Sequence, residues 1–281
     1  MRLVHRAADL GTDRCVLVPT MGALHEGHMS LVRAATEVAR RRGEPVIVTV
    51  FVNPTQFNEQ SDFDRYPRTL DADAAACERA GADVVFAPPV EEVYPPDREI
   101  PVPPLPDVAT QPGLEDAARP GHFAGVCQVV NRLFELTRPS AALFGEKDWQ
   151  QLQVVRALTA RGGPGVEIVG LPTVREPDGL AMSSRNRFIP AELREQALAI
   201  PRALEAAAGA SGDDPGEAEA LMRTTLERAG LGGSIDYAVV RDAQTLLSPR
   251  RGRAARALIA ARVGPVRLID NAPWCPGDLA G

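Results

Sequence analysis

Residues 45–53 read PVIVTVFVN. The run is β-branched, apolar and without alternation, as a strand covered on both faces requires. Upstream, CVLVPT (15–20) is a shorter apolar run ended by proline and predicts a second buried strand. Between them, HMSLVRAATEVARRRG (28–43) sets Leu31, Val32, Ala35, Val38 and Ala39 at helical spacing, with Gly43 as its stop. Strand, loop, helix, strand is a βαβ unit, which commits the chain to a parallel sheet.

The alternation continues. ADAAACERAG (72–81) predicts a helix and ADVVFAP (82–88) a strand; GVCQVVNRLFELTRP (125–139) is an amphipathic helix, SAALFGEKD (140–148) a strand running into a loop, QQLQVVRALTARGG (150–163) a helix and VEIVGLPTV (166–174) a strand. PPVEEVYPPDREIPVPPLPD (88–107) is too rich in proline for a regular helix and predicts an extended surface excursion, with a ligand motif for SH3-type domains as the sharper alternative. Near residue 174 the texture changes. PAELREQALAIPRALEAAAGA (190–210) predicts a helix opened by Pro190, ASGDDPG a linker and EAEALMRTTLERAG another helix; IDYAVVRD (235–242) and ARALIAARVGPVRLIDN (255–271) read as strands around a turn. The expected architecture is α/β: a Rossmann-like parallel-sheet domain over 1–173, followed by a smaller α+β domain over 174–281.

A chain of 281 residues with 44% hydrophobic residues has ample material for such cores. Its net charge of −6 argues against general nucleic-acid binding. No apolar run reaches the length of a membrane span, and MRLVHRAADLG lacks the apolar core of a signal peptide. Cys15, Cys77, Cys127 and Cys275 are scattered without a CxxC pair, which predicts reduced thiols of a cytoplasmic protein, mostly core filler. Arg40, Arg41 and Arg42 read as a solvated helix end favoured by the macrodipole. Arg250, Arg251, Arg253 and Arg256 read as a solvated turn rather than an RNA patch.

Four polar clusters follow predicted strands or enter predicted helices. TMGALHEGH places His25 and His28 beside Gly22 and Gly27, where a strand gives way to a helix. Ligands of open α/β sheets bind at the carboxyl ends of strands, and helix N-termini favour anions, so a phosphate site is expected. A glycine-rich turn with incidental histidines is the alternative. Zinc fits poorly, because only Gly27 separates Glu26 from the second histidine. In FGEKDWQQ, Lys147 is placed to meet phosphate as a point charge, or Asp148 merely caps a helix. In DGLAMSSRNRF, Ser183, Ser184 and Arg185 offer hydroxyls, backbone N–H groups and a guanidinium to a departing pyrophosphate, or form an ordinary cap. In FVNPTQFN, Asn53 and Gln56 could read a polar organic substrate, or simply build a turn on Pro54.

PTMGALHEGHMSLV, FVNPTQF, DFDRYPRTLDAD, GHFAGVCQVVNRLFELTRPSAALFGEKDWQQLQVV, VREPDGLAMSSRNRF and ALIAARVGPVRLIDN follow one another from about Val18 to Asn271. In order and spacing they resemble the successive motifs of the pantoate–β-alanine ligase family, and TMGALHEGH resembles that family's form of the HIGH motif of nucleotidylyltransferases. The resemblance implies an ATP- and pantoate-binding domain followed by a lid domain, and a reaction that joins (R)-pantoate to β-alanine through a pantoyl-adenylate, with release of AMP and pyrophosphate. It also implies residue roles. His25 and His28 would hold the ATP phosphates, with His28 as proton donor, and Met21 and Gly22 would lie along the nucleotide. Lys147 would neutralise phosphate charge, and Gly145 and Asp148 would hold adenosine. Val174, Met182, Ser183, Ser184 and Arg185 would close over adenine and pyrophosphate. Gln56 and Gln151 would grip pantoate, with Asn53 nearby. Mg²⁺ is expected with ATP, Asp73 being a possible contributor that is better read as a helix N-terminal carboxylate. A homodimer is implied by family likeness.

Two departures stand out: a short N-terminus, and Gln128 and Arg132 where members often have threonine and lysine. Both leave the phosphate and pantoate positions intact. The competing readings are a relative that adenylylates another acid, or a cytidylyltransferase-type enzyme, and a nucleotide sensor without catalysis. Asn53 and the paired glutamines favour pantoate over a phosphorylated acceptor, and the intact His28, Lys147, Ser183 and Arg185 disfavour a sensor.

Overall fold

The computed structural model describes residues 1–57, 60–161, 165–210 and 214–274. They fall into two compact units. The first is Met1–Glu146 with Gln150–Pro172; the second joins Lys147–Trp149 to the residues from Thr173 onward.

In the first unit the chain runs β1 (Arg2–Val4), β2 (Cys15–Thr20), α1 (Glu26–Arg42), β3 (Val46–Val50), α2 (Gln60–Arg65), α3 (Leu70–Ala80), β4 (Val84–Phe86), α4 (Val90–Val93), α5 (Glu115–Ala118), α6 (His122–Thr137), β5 (Pro139–Gly145), α7 (Trp149–Ala160, whose Trp149 partitions with the second unit) and β6 (Glu167–Leu171). The six strands form one sheet in the order β1-β4-β3-β2-β5-β6, every pair parallel. The expected doubly covered strand is there: Val46, Ile47, Val48 and Thr49 of β3 are buried, and burying each of the aliphatic three contributes roughly 1.5–3 kcal/mol. Helix α1 packs Met29, Leu31, Val32, Ala35 and Ala39 into the core. Gly43 closes it in a left-handed conformation, its N–H donating to Ala39 O.

The chain progresses outward from β2 through β3 to β4, then returns to place β5 on the other side of β2. That reversal between β2 and β5 is the topological switch point where open α/β sheets hold ligands. The loops carrying TMGALHEGH and FGEKD leave the carboxyl ends of these two strands.

Several boundaries differ from expectation. Helix α1 begins at Glu26 rather than at His28, so His25 is its N-cap and Gly27 lies in its first turn. The N-terminal residues supply an edge strand, β1, that pairs with β4. The proline-rich stretch is not a plain surface excursion: it contains the single turn α4, and Val93 and Ile100 are buried. Arg132 and Gln128 of α6 anchor it, Arg132 Nε donating to Val93 O at 3.0 Å and Gln128 Nε2 to Ile100 O at 2.6 Å.

In the second unit α8 (Arg194–Ala197), α9 (Ala199–Ala208) and α10 (Pro215–Arg228) precede an antiparallel sheet of β7 (Ile235–Asp242), β8 (Ala255–Val263) and β9 (Val266–Trp274). Its core joins Ile200, Leu204, Met222 and Leu226 of the helices to Val240, Ile259 and Leu268 of the strands. The single helix expected over 190–210 is interrupted at Leu198. Pro201 has no N–H to donate into a continuous helix, and the restart places it in the first turn of α9, where no donor is needed. The linker residues 211–213 lie outside the described residues; Asp214 caps α10 by accepting from Gly216 N. Arg256 departs from the expected solvated turn and is buried in β8, while Arg253 pairs with Asp242 at 3.0 Å.

Among the described residues no helix is long and apolar enough to cross a membrane. Cys15, Cys77 and Cys127 are free and buried, and burial pushes each thiol up to about 12. These three are expected to resist a thiol reagent at pH 8 in the native protein and to react fully in denaturant, which a spectrophotometric titration reads directly. Cys275 lies outside the described residues.

Candidate active site

The loop after β2 is built around a turn of two left-handed residues, Gly22 (φ +84°) and Ala23 (φ +51°). A Cβ on Gly22 would stand 3.0 Å from both Asp73 Oδ2 and Val50 Cγ1, so glycine is required for space as well as for backbone conformation. Asp73, buried on α3, holds the next two residues: its carboxylate accepts from Ala23 N at 3.0 Å and Leu24 N at 2.8 Å, and from Thr69 Oγ1 at 3.1 Å. Asp73 lies in the first turn of α3, the helix-end position expected from the sequence, and a carboxylate so engaged also fixes the loop.

The chain then enters α1 with His25 extended as N-cap. His25 N donates to His28 Nδ1 at 3.3 Å, and the two rings lie 4.1 Å apart at 44°. An Nδ1 that accepts leaves the proton of the neutral imidazole on Nε2, so His28 presents an N–H donor at a helix N-terminus.

Beside this loop, Gln56 Nε2 donates to Met21 Sδ at 3.1 Å, and Gln56 Oε1 accepts from Asn53 Nδ2 at 3.1 Å. Asn53 Nδ2 also reaches Gly125 O, and Asn53 Oδ1 accepts from the Tyr94 hydroxyl at 2.9 Å. Burial pushes the Tyr94 phenol above its usual range, keeping it protonated to donate. His122 Nδ1 meets Gln56 O at 2.9 Å, and Arg119 Nη1 meets His122 Nε2 at 3.1 Å. Arginine can only donate, so Nε2 accepts and Nδ1–H donates to the Gln56 carbonyl. Met21, Asn53 and Gln56 are thus brought into one network. Tyr94, Arg119 and His122 support it without having been singled out. His122 sits in a quoted motif, GHFAGV, but Tyr94 lies in the proline-rich stretch, where no local pattern marks it. Gln151 is half-buried in the first turn of α7, beyond β5, which ends at Gly145.

In the second unit, Arg175 bridges Ala181 and Met182 N donates to Val174 O at 2.9 Å, forming a narrow hairpin. Ser183 caps the turn Ser184–Phe188, its hydroxyl accepting from Arg185 N at 3.2 Å. This places Val174, Met182, Ser183, Ser184 and Arg185 on one short segment. Arg194 and Asn186 brace it through Glu176, each bond being 2.5 Å. Lys147 Nζ lies 3.9 Å from Asp148 Oδ1.

Comparison with known proteins identifies the family. The family profile described as "Pantoate-beta-alanine ligase" matches residues 1–273. A pantothenate synthetase of Nocardioides sp. (strain ATCC BAA-499 / JS614) is 52% identical over 281 residues, covering 96% of this chain and 82% of the relative. The crystal structure of pantothenate synthetase from Thermus thermophilus superposes with a TM-score of 0.87 at 42% identity, covering 97% of this chain and 99% of that one. A pantoate-beta-alanine ligase from Francisella tularensis, complexed with beta-gamma ATP and beta-alanine, superposes with a TM-score of 0.76 at 30% identity, covering 97% of both chains. The chain belongs to the pantoate–β-alanine ligase family.

Proposed function

We propose that this enzyme condenses (R)-pantoate with β-alanine using ATP, through a pantoyl-adenylate, as a step toward pantothenate and coenzyme A. The observation that carries the reading is the family match over residues 1–273. In the first step the pantoate carboxylate attacks the α-phosphorus, the bond to the bridging oxygen breaks, and pyrophosphate leaves. In the second, the β-alanine amine attacks the acyl carbon, gives up a proton, and AMP departs. Such chemistry asks the protein for alignment and for donors where charge develops.

His25 and His28 hold the phosphates, His28 donating from Nε2–H as charge grows on the α-phosphate. Met21 and Gly22 line the nucleotide, Gly145 and Asp148 the adenosine, and Val174 and Met182 the adenine. Lys147, Ser183, Ser184 and Arg185 take the charge of the leaving pyrophosphate. Asn53, Gln56 and Gln151 hold pantoate, and the Met21–Gln56 contact supports a shared boundary between the two substrates. The 174–281 segment acts as the lid. Among the described residues no group of three or more His, Cys, Asp or Glu is placed to hold a metal; Mg²⁺ would be carried by ATP oxygens and water, neutralising phosphate charge. We further propose a homodimer, on family likeness, and a cytoplasmic site of action, which the three buried thiols suit.

Pyrophosphate release measured with pantoate alone, then with β-alanine added, tests the reaction. AMP and pantothenate formed only with both substrates are expected. Release driven by another acid, or ATP binding without turnover, would overturn the assignment.

The pantoate assignment has its own check. A Cβ on Gly125 of α6 would stand 2.4 Å from the Thr55 carbonyl oxygen and 2.8 Å from Gln56 Cα. Gly125→Ala is expected to lose about 1–3 kcal/mol in denaturant unfolding, and to raise the KM for pantoate, because the displaced turn carries Asn53 and Gln56.

A further inference from the structure

The motif ALIAARVGPVRLIDN takes no part in the scheme above, yet it carries Asp270 and Asn271 and follows directly on Arg256, all three buried. A buried guanidinium is destabilising unless its charge and donors are met. In the β8–β9 register, Leu258 opposes Asn271 and Ile259 opposes Asp270. Strand alternation puts Asp270 and Asn271 on opposite faces, and makes Arg256 the diagonal neighbour of Asn271.

On the Asn271 face, Arg256 Nε donates to Asn271 Oδ1 at 2.5 Å, and the guanidinium carbon lies 3.5 Å from the centre of the Trp149 ring. Trp149 is itself held by Nε1 donating to Ala243 O at 2.8 Å. With the amide oxygen occupied, Nδ2 is aimed at the Lys147 carbonyl, to which it donates at 2.8 Å. On the opposite face Asp270 grips Arg175 through two bonds of 2.6 and 3.1 Å, at the base of the hairpin leading to Ser183 and Arg185. Adjacent residues of one strand therefore hold both segments of this unit to which phosphate chemistry is assigned.

We infer that Asn271, oriented by Arg256, is a positioning residue for Lys147. The inference rests on the proposed role of Lys147 at the ATP phosphates. Asn271 acts on the backbone of that lysine, fixing where its side chain begins, and Arg256 sets which way the amide faces.

Asn271→Asp separates this role from core stability, because it keeps an oxygen for Arg256 and removes the N–H that Lys147 O accepts. The expected result is a fall of about 10- to 100-fold in kcat/KM for ATP, an unchanged KM for pantoate and a melting temperature near that of the parent. In a Lys147→Ala background the same substitution is expected to change little further, since it acts through that lysine. Should Asn271→Asp melt early, Arg256→Lys removes the orienting fork while leaving Asn271 in place and is expected to show the same loss. Parental kcat/KM for ATP in both variants, or an equal fall with and without Lys147, would overturn the inference. Near-normal turnover of Lys147→Ala alone would remove the role of the lysine and the inference with it, an outcome readable apart from the others.

Discussion

Replacing His28 with alanine is expected to lower turnover by about 10²–10⁴-fold, with the loss confined to the adenylate-forming half-reaction. His28 Nδ1 is taken by the His25 backbone N–H at 3.3 Å, so the ring keeps its proton on Nε2 while still neutral. It can therefore donate to a phosphate oxygen without first being protonated, at the N-terminus of a seventeen-residue helix whose dipole favours the same negative charge. Alanine removes the donor and the local bond to His25 together. Pantoate-dependent exchange of labelled pyrophosphate into ATP isolates the affected half, and attack of β-alanine on supplied pantoyl-adenylate should proceed at close to the parental rate. His28→Gln, which retains a terminal amide donor, is expected to recover part of the exchange rate. Exchange by His28→Ala within a factor of about ten of the parent would remove His28 from the chemistry.

What the sequence made legible was local. PVIVTVFVN could be read as a covered strand because its own composition demands two apolar neighbours, and β3 is buried accordingly. Gly43 could be read as a helix stop because a left-handed residue was needed there. The start of α1 was misplaced by two residues because the helix is opened by histidines, which are not ordinary caps, and because Gly27 in the first turn reads as loop. Strand β1 spans three residues and draws its order from pairing with β4, which no three-residue pattern can announce. Among the polar residues the divide is the same. His25, His28 and Gln56 belong to compact motifs. Tyr94 and His122 support the Asn53–Gln56 network, and Asp73 the loop before His25, from positions 41, 66 and 50 residues away along the chain from their partners. Arg256 looked like one member of a solvated arginine cluster, and only the strand register sends it inward, over Trp149.

Asp73→Ala is expected to damage stability and activity together. The residue is 3% exposed and lies on α3, yet its bonds go to the loop after β2. Two consecutive left-handed residues, one of them alanine, are held there at a cost of about 1–2 kcal/mol for the non-glycine position. Removing the carboxylate leaves the Ala23 and Leu24 N–H groups buried or half-buried without their acceptor, at about 1–3 kcal/mol each. A total loss of about 2–6 kcal/mol in denaturant unfolding follows. Asp73→Asn keeps the shape and one acceptor, so it should unfold nearer the parent while still lowering turnover by about tenfold or more through displacement of His25 and His28. The loop role and a metal role then separate on one titration. If Asp73 bound Mg²⁺, raising the Mg²⁺ concentration would restore the asparagine variant, because weakened affinity is overcome by mass action. If it holds the loop, the defect persists at every Mg²⁺ concentration. Persistence is expected, since both carboxylate oxygens already serve backbone N–H groups.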